Sequence, residues 1–311
     1  MAKDTVHFDN LQHLGLGKRT RLHRILAKHE SDRSRAGPLC PGTALLLSID
    51  QGLEDGPRDF FSNPAAINPD FQLRLAQEGA FSGIVLQIGL AEKYYWNYAG
   101  EVPLVLKLNG RTSIPSDRTS FSPLLATVRD AVRLGADAVG YTFYVGSSAQ
   151  DQDFLQYQRV REEAEVFGMP LILWAYPRGE AIESKGGRDS LFAVDYAARL
   201  ADEVGADLVR LNEPSFDAEK NKLCPPPYNT LCLSREEALA KVVRTANKTM
   251  VLISGGSHSN EEELLTKTRL AMEAGATGMV FGRNLWSRPL EESLRLVSSI
   301  RQVMEACRKS P

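Results

Sequence analysis

Gly205-Ala206-Asp207-Leu208-Val209-Arg210-Leu211-Asn212-Glu213-Pro214 is a short apolar run that ends in charged and polar residues. It reads as a buried strand whose tip opens into a site. A helix ends, Gly205 supplies the left-handed turn that reverses the chain, and Leu208, Val209 and Leu211 fill a sheet covered on both faces. The same helix-to-strand joint recurs at Glu78-Gly79-Ala80 before Gly83-Ile84-Val85-Leu86, at Gly135-Ala136-Asp137 before Ala138-Val139-Gly140, and at Gly275-Ala276-Thr277 before Gly278-Met279-Val280-Phe281. One joint used repeatedly implies one repeating unit.

Outward from that joint, apolar runs fall at 44–50, 83–87, 102–108, 138–144, 170–179, 208–211, 249–254 and 278–281. Helical patterns separate them at 70–79, 90–98, 122–134, 151–167, 189–204, 234–246 and 260–274, and a last helix carries Leu294, Val297 and Ile300. Ser234 with Glu237 three residues on is the reciprocal capping pattern. Eight strands, each followed by a helix, spell a (β/α)8 TIM barrel spanning 43–311 as a single domain. A doubly wound sheet is disfavoured because no dinucleotide glycine fingerprint is present.

Residues 1–42 read as an N-terminal arm with one basic helix, in which Leu22 and Leu26 stand four apart among Lys18, Arg19, Arg21 and Arg24. Such a helix plugs the bottom of a barrel or packs on a neighbouring subunit, and its charged face is expected to be solvated.

Composition narrows the function classes. At 311 residues and 43% hydrophobic content, the chain can bury one large core, and its formal charge of -2 offers no general attraction for nucleic acid or an anionic membrane. Cys40, Cys224, Cys232 and Cys307 are scattered, which suggests neither a disulfide framework nor a zinc site and suits a reducing, cytoplasmic setting. The polar stretch 1–10 does not resemble a secretory signal, and no apolar run is long enough to cross a bilayer.

Barrel sites lie at the carboxyl ends of the strands. Those ends carry Asp50, Gln87, Lys107, Tyr144, Trp174 with Tyr176 and Arg178, Arg210 with Asn212, Ser254-Gly255-Gly256, and Gly282-Arg283. Glycine turns after the seventh and eighth strands suit a phosphate cradle of backbone N–H groups, with Arg283 and Arg178 supplying bidentate charge. Lys107 ends an apolar strand. A desolvated amine there can attack a carbonyl to give a Schiff base, or the lysine can pair with Asp50 or with a substrate phosphate. Tyr176 is placed to move a proton, with Trp174 shaping the pocket.

These motifs have a family resemblance. Asp50-Gln51-Gly52, Val105-Leu106-Lys107-Leu108-Asn109, Leu173-Trp174-Ala175-Tyr176-Pro177-Arg178-Gly179, Gly205-Ala206-Asp207, Ser254-Gly255-Gly256 and Phe281-Gly282-Arg283-Asn284-Leu285-Trp286 stand in the order seen in archaeal-type (DhnA-type) class I fructose-bisphosphate aldolases. The resemblance runs from about Pro41 to Arg301. It implies a barrel enzyme that cleaves fructose 1,6-bisphosphate into two triose phosphates through a lysine Schiff base, without a metal or other cofactor, and that assembles as a homo-oligomer.

By position, Tyr176 resembles the family's proton-transfer residue and Trp174 and Asp50 its substrate-positioning residues. Ser254, Gly255, Gly256, Gly282, Arg283 and Arg178 resemble its phosphate contacts. The family's Schiff-base lysine lies on the sixth strand in a Gly-Ala-Asp-x-x-Lys-x-Lys pattern, where this chain has Arg210 and Asn212. Gln51 stands where relatives often carry histidine. A guanidinium stays protonated and cannot form an imine, so Arg210 can bind a phosphate or ketone oxygen but cannot replace the nucleophile. Three readings follow: aldol chemistry with Lys107, or with Lys220 or Lys222, as the amine; a phosphosugar site whose reaction has lapsed or changed; and a purely structural homo-oligomer.

Overall fold

The computed structural model describes residues 11–26, 42–215, 217–256 and 259–309. The polar stretch 1–10, the arm between 27 and 41 and Cys40 lie outside the described residues.

Eight parallel strands close into a barrel in chain order: β1 (Ala44–Ser48), β2 (Gly83–Gln87), β3 (Leu104–Lys107), β4 (Ala138–Val145), β5 (Leu171–Pro177), β6 (Leu208–Leu211), β7 (Met250–Ser254) and β8 (Gly278–Phe281), with β8 pairing back to β1. The helix-to-strand joints explain the repetition. Gly205, Gly135 and Gly275 hold φ of 79°, 68° and 91°, the left-handed turn that glycine adopts without a Cβ clash. The joint before β2 differs from expectation. Gly79 is in the right-handed region and Ala80 takes the positive φ of 47°. A Cβ on Gly79 would lie 2.8 Å from the Leu75 carbonyl oxygen, so glycine is required there by crowding.

Period two sorts the strand side chains into two cores. Val209, Leu211, Leu171, Leu173, Leu104 and Leu106 face the helices, whereas Leu208, Ile172, Val105, Leu46, Val85 and Leu252 fill the barrel. Continuing the inward set one step upward reaches Arg210, Trp174, Lys107, Ser48, Gln87 and Ser254. The layer of candidate site residues is therefore fixed by the alternation that packs the core.

The N-terminal helix, Leu16–Leu26, closes the opposite end, with Leu22, Ile25 and Leu26 packed among the inward residues of the strands. Its charged face is solvated only in part: Arg19 and Arg24 are exposed as expected, but Lys18 is not. Lys18 is buried and bonds Asp207, 3.0 Å away, and Glu165. Arg24 reaches Asp137 at 3.0 Å, and Arg21 donates to the Ala136 carbonyl at 2.7 Å. The carboxylates of the Gly-Ala-Asp joints thus anchor the plug, a buried pairing that needs both partners.

At the site end, the expected helix over 122–134 is cut to Val128–Arg133. Thr127 and Asp130 form a reciprocal cap there, which delays the start of the helix to Val128. The preceding chain is a loop held by Asn109, whose Nδ2 donates to the Ser122 and Thr142 carbonyls at 3.1 and 2.8 Å. Among the described residues no helix is long and apolar enough to cross a membrane.

Candidate active site

The carboxyl ends of the strands surround a cavity of about 730 Å³. Among its described lining residues are eight basic and six acidic side chains, an excess of positive charge in a chain that is slightly acidic overall. An anionic ligand suits such a mouth.

Lys107, at the tip of β3, points inward as its register requires but is already engaged. Its ammonium donates to Asp50 Oδ2 at 2.8 Å and lies 4.6 Å from the centre of the Trp174 ring. Gly140, its partner across β3 and β4, makes this possible, since a Cβ there would lie 2.8 Å from Trp174 and 3.0 Å from Lys107 Cδ. Ser48 donates to the other Asp50 oxygen. Burial alone would raise the Asp50 carboxyl, but the charge and hydrogen bond of Lys107, with Ser48 and the more distant Arg210 charge, hold it below the usual range. Lys107 lines a separate space of about 10 Å³ beside the cavity, and Asp50 lines both. Lys107 is thus behind Asp50 instead of facing the mouth as expected.

Arg210 occupies the centre of the β6 tip. It donates through Nη1 to Asn212 Oδ1 at 3.0 Å and through Nη2 to Ser254 Oγ, and its guanidinium lies 4.8 Å from the centre of the Tyr176 ring. Arg178 lies over the same ring at 5.1 Å, its Nη1 donating to the Pro177 carbonyl at 2.8 Å. Burial pushes the Tyr176 hydroxyl up, Arg210 opposes this, and Glu54 and Asp50 add to it, so the phenol stays protonated near neutrality.

The glycine turns after β7 and β8 are shaped by their neighbours. Gly256 has φ of 77°, and its N–H donates to Ser254 Oγ at 3.1 Å. Asn284 Nδ2 donates to the Gly255 and Gly256 carbonyls at 3.3 Å, tying one turn to the other. A Cβ on Gly282 would lie 3.0 Å from the Ser48 carbonyl, to which Trp286 Nε1 donates at 3.2 Å. The Gly-Arg-Asn-x-Trp segment therefore stitches β8 to both β1 and β7. Arg283 lines the cavity but is held by Asp55 at 3.3 Å and Asp59 at 3.0 Å.

Cavity residues away from the strand ends escape that reading, among them Glu54, Glu213, Arg235 and Lys267. Glu54, on the short helix after β1, has its carboxyl raised by burial and by Asp50. Glu213, Arg235 and Lys267 form a cluster: Arg235 donates through Nε and Nη2 to the two carboxylate oxygens of Glu213, and Lys267 Nζ lies 3.5 Å from Glu213 and 3.4 Å from the Gly255 carbonyl. Arg235 opens the helix that Ser234 caps, so the capping pattern already fixed its place. Lys267 sits mid-helix among charges and gives no such signal. Lys220 and Lys222 are exposed, pair with Asp217 and Glu219, and do not line the cavity.

Comparison with known proteins bears on this arrangement. A family model described as DeoC/LacD family aldolase matches residues 44–288. The chain is 36% identical over 269 residues to the class 1 fructose-bisphosphate aldolase of Thermoproteus tenax, covering 86% of this chain and 92% of that one. It is 34% identical to the corresponding aldolase of Halobacterium salinarum, covering 79% and 85%. A solved archaeal fructose-1,6-bisphosphate aldolase, with its catalytic lysine covalently bound to the carbinolamine intermediate of the substrate, superposes with a TM-score of 0.75 at 34% identity over 92% of this chain and 98% of that one.

Proposed function

From its membership of the DeoC/LacD aldolase family, to which the chain belongs, we propose that it binds a phosphorylated sugar of the kind its fructose-bisphosphate aldolase relatives handle, without forming an imine on the sixth strand. The observation that carries this reading is Arg210. It projects into the cavity between Tyr176, Ser254 and Asn212, at the position where the resemblance implies an amine. A guanidinium can hold a substrate oxygen and stabilise negative charge on it, but it has no lone pair to offer a carbonyl carbon. Phosphate contacts in this reading come from the glycine turns at Gly255, Gly256 and Gly282, with Arg283 and Arg178 as bidentate partners. Tyr176, whose hydroxyl burial raises so that it keeps its proton, is placed to donate a hydrogen bond to the ligand.

A second reading retains aldol cleavage through another amine. Its support is that Lys107 is almost fully buried against Trp174 and Asp50, the residues to which the family resemblance gives substrate-positioning roles. Aldol cleavage through Lys107 would require the ammonium to lose a proton as well as its pairing with Asp50, because a protonated, ion-paired amine is not a nucleophile.

Both readings place the protein in a reducing, cytoplasmic compartment, which suits the free thiols of Cys224, Cys232 and Cys307. They also include a homo-oligomer, for which exposed Trp96, Phe61 and Leu155 would supply apolar contact.

Incubation with fructose 1,6-bisphosphate or glycerone phosphate, followed by borohydride and peptide mass analysis, tests the choice. The expected result is saturable binding of the phosphosugar by calorimetry with no triose-phosphate mass on any peptide. An adduct on the peptide containing Lys107 would establish the second reading instead, and no binding would remove both.

A further inference from the structure

The cavity cations differ in one respect. Arg58, Arg111, Arg178, Arg188, Arg235, Arg283 and Lys267 each have a carboxylate partner in the ion-pair network. Arg210, among the described residues, has none. Its hydrogen-bond partners are the amide oxygen of Asn212 and the hydroxyl of Ser254, both neutral, and its Nε is buried without a partner. Asp50 is close enough for its charge to be felt, but one of its oxygens accepts from Lys107 and the other from Ser48. On the far side Asp189 is a residue removed, accepting from Asn212 Nδ2 at 2.8 Å.

A half-buried permanent cation without a counter-ion is costly, and burial makes the missing anion worth more. A neutral ketone oxygen would accept a hydrogen bond from Arg210 and leave its charge standing. A carboxylate would do both, because its two oxygens match the guanidinium fork. The phosphate end of a ligand has other cations to meet at the glycine turns, where Lys267 and Arg283 stand.

We propose that the ligand class of this cavity is a phosphorylated sugar acid, with its carboxylate on Arg210 and its phosphate at the turns after β7 and β8. This rests on the phosphosugar reading above and narrows it. The guanidinium on the sixth strand is then a specificity determinant that selects an acid where an amine would select a ketone.

The test is a pair of ligands that differ only at one terminal carbon. Gluconate 6-phosphate and glucitol 6-phosphate are titrated calorimetrically into the full chain, and into an Arg210→Gln variant whose fold is checked by circular dichroism. The sugar acid is expected to bind the wild-type chain at least tenfold more tightly than the sugar alcohol, and the variant is expected to bind the two alike. Equal affinities in the wild-type chain overturn the proposal whatever the variant does, as does a preference that survives in Arg210→Gln. Unphosphorylated gluconate and glucitol serve as controls. If phosphorylation strengthens neither ligand, the phosphosugar reading itself fails, whereas phosphate-dependent binding that ignores the carboxylate sinks only the narrower inference.

Discussion

The Arg210 guanidinium lies 4.8 Å from the centre of the Tyr176 ring, so the two residues that the sixth and fifth strands bring to the mouth are stacked face to cation. The contact holds the guanidinium in a fixed place and lowers the cost of its partial burial. It also puts the charge beside the hydroxyl that would move a proton. A lysine at this position would be a shorter-reaching point charge, free of the planar fork and able to lose its proton.

Arg210→Lys is therefore expected to create an amine-dependent activity if the rest of the site is competent. Borohydride trapping with glycerone phosphate should label the peptide containing residue 210 in the variant and not in the wild-type chain. A variant that binds phosphosugar yet gives no adduct would mean that the site has diverged at more than its nucleophile.

Lys107 and Asp50 compensate each other's charge behind the mouth. With the ammonium removed, as in Lys107→Met, the Asp50 carboxylate keeps Ser48 but loses its ion pair at an almost closed position. Breaking such a pair costs about 3 kcal/mol or more. The variant should unfold at lower urea concentration at pH 7, and much of the loss should return on acidification, because the orphaned carboxyl then titrates above its unfolded value and is neutral at low pH. Asp50→Asn combined with Lys107→Met should recover stability at neutral pH. A double variant no better than the single one would show that packing under Trp174, not charge, is what Lys107 supplies.

Much of this architecture is local and could be read from the chain. The Gly-Ala-Asp joint is encoded within three residues, and period two alone carries Leu208 inward and Arg210 with it. What the sequence hid depends on partners far along the chain. Lys18 looks like part of a solvated helix face until Asp207, 189 residues away, receives it. Lys107 looks available until Asp50 covers it, and Lys267 looks like any lysine on a polar helix until the turn at Gly255 comes within reach. The long helix over 122–134 failed for a nearer reason, since the Thr127-x-x-Asp130 cap was a start signal that the apolar pattern overrode.

Arg283 stands between two acids and a glycine turn, and both roles can be separated. Arg283→Ala should weaken phosphosugar binding by roughly 10- to 100-fold, the range for a charge-assisted contact of about 1.5–3 kcal/mol. Asp59→Asn leaves the guanidinium less compensated, at Asp55 alone, and should tighten binding of a bisphosphate. Calorimetry on both variants checks this. Unchanged affinity in Arg283→Ala would make the residue a tie between β8 and the segment after β1, and nothing more.

Asp153 is completely buried, accepting from the Tyr141 hydroxyl at 2.9 Å and the Tyr144 N–H at 3.1 Å. Burial pushes its carboxyl up to about 6, and the two hydrogen bonds only partly offset this. A folded pKa above the unfolded value means that the folded chain holds the proton more tightly. Its contribution to stability is then greatest in acid and falls as the pH rises from about 4 through about 6, by at most ~3 kcal/mol. Asp153→Asn cannot titrate, so the stability of the variant relative to the wild-type chain should climb across that interval and level off above it. Unfolding free energies of both proteins at pH 4, 5, 6 and 7 decide the matter. A difference that stays constant with pH would mean that the Tyr141 and Tyr144 hydrogen bonds fully offset burial, so that Asp153 titrates alike in the folded and unfolded chain.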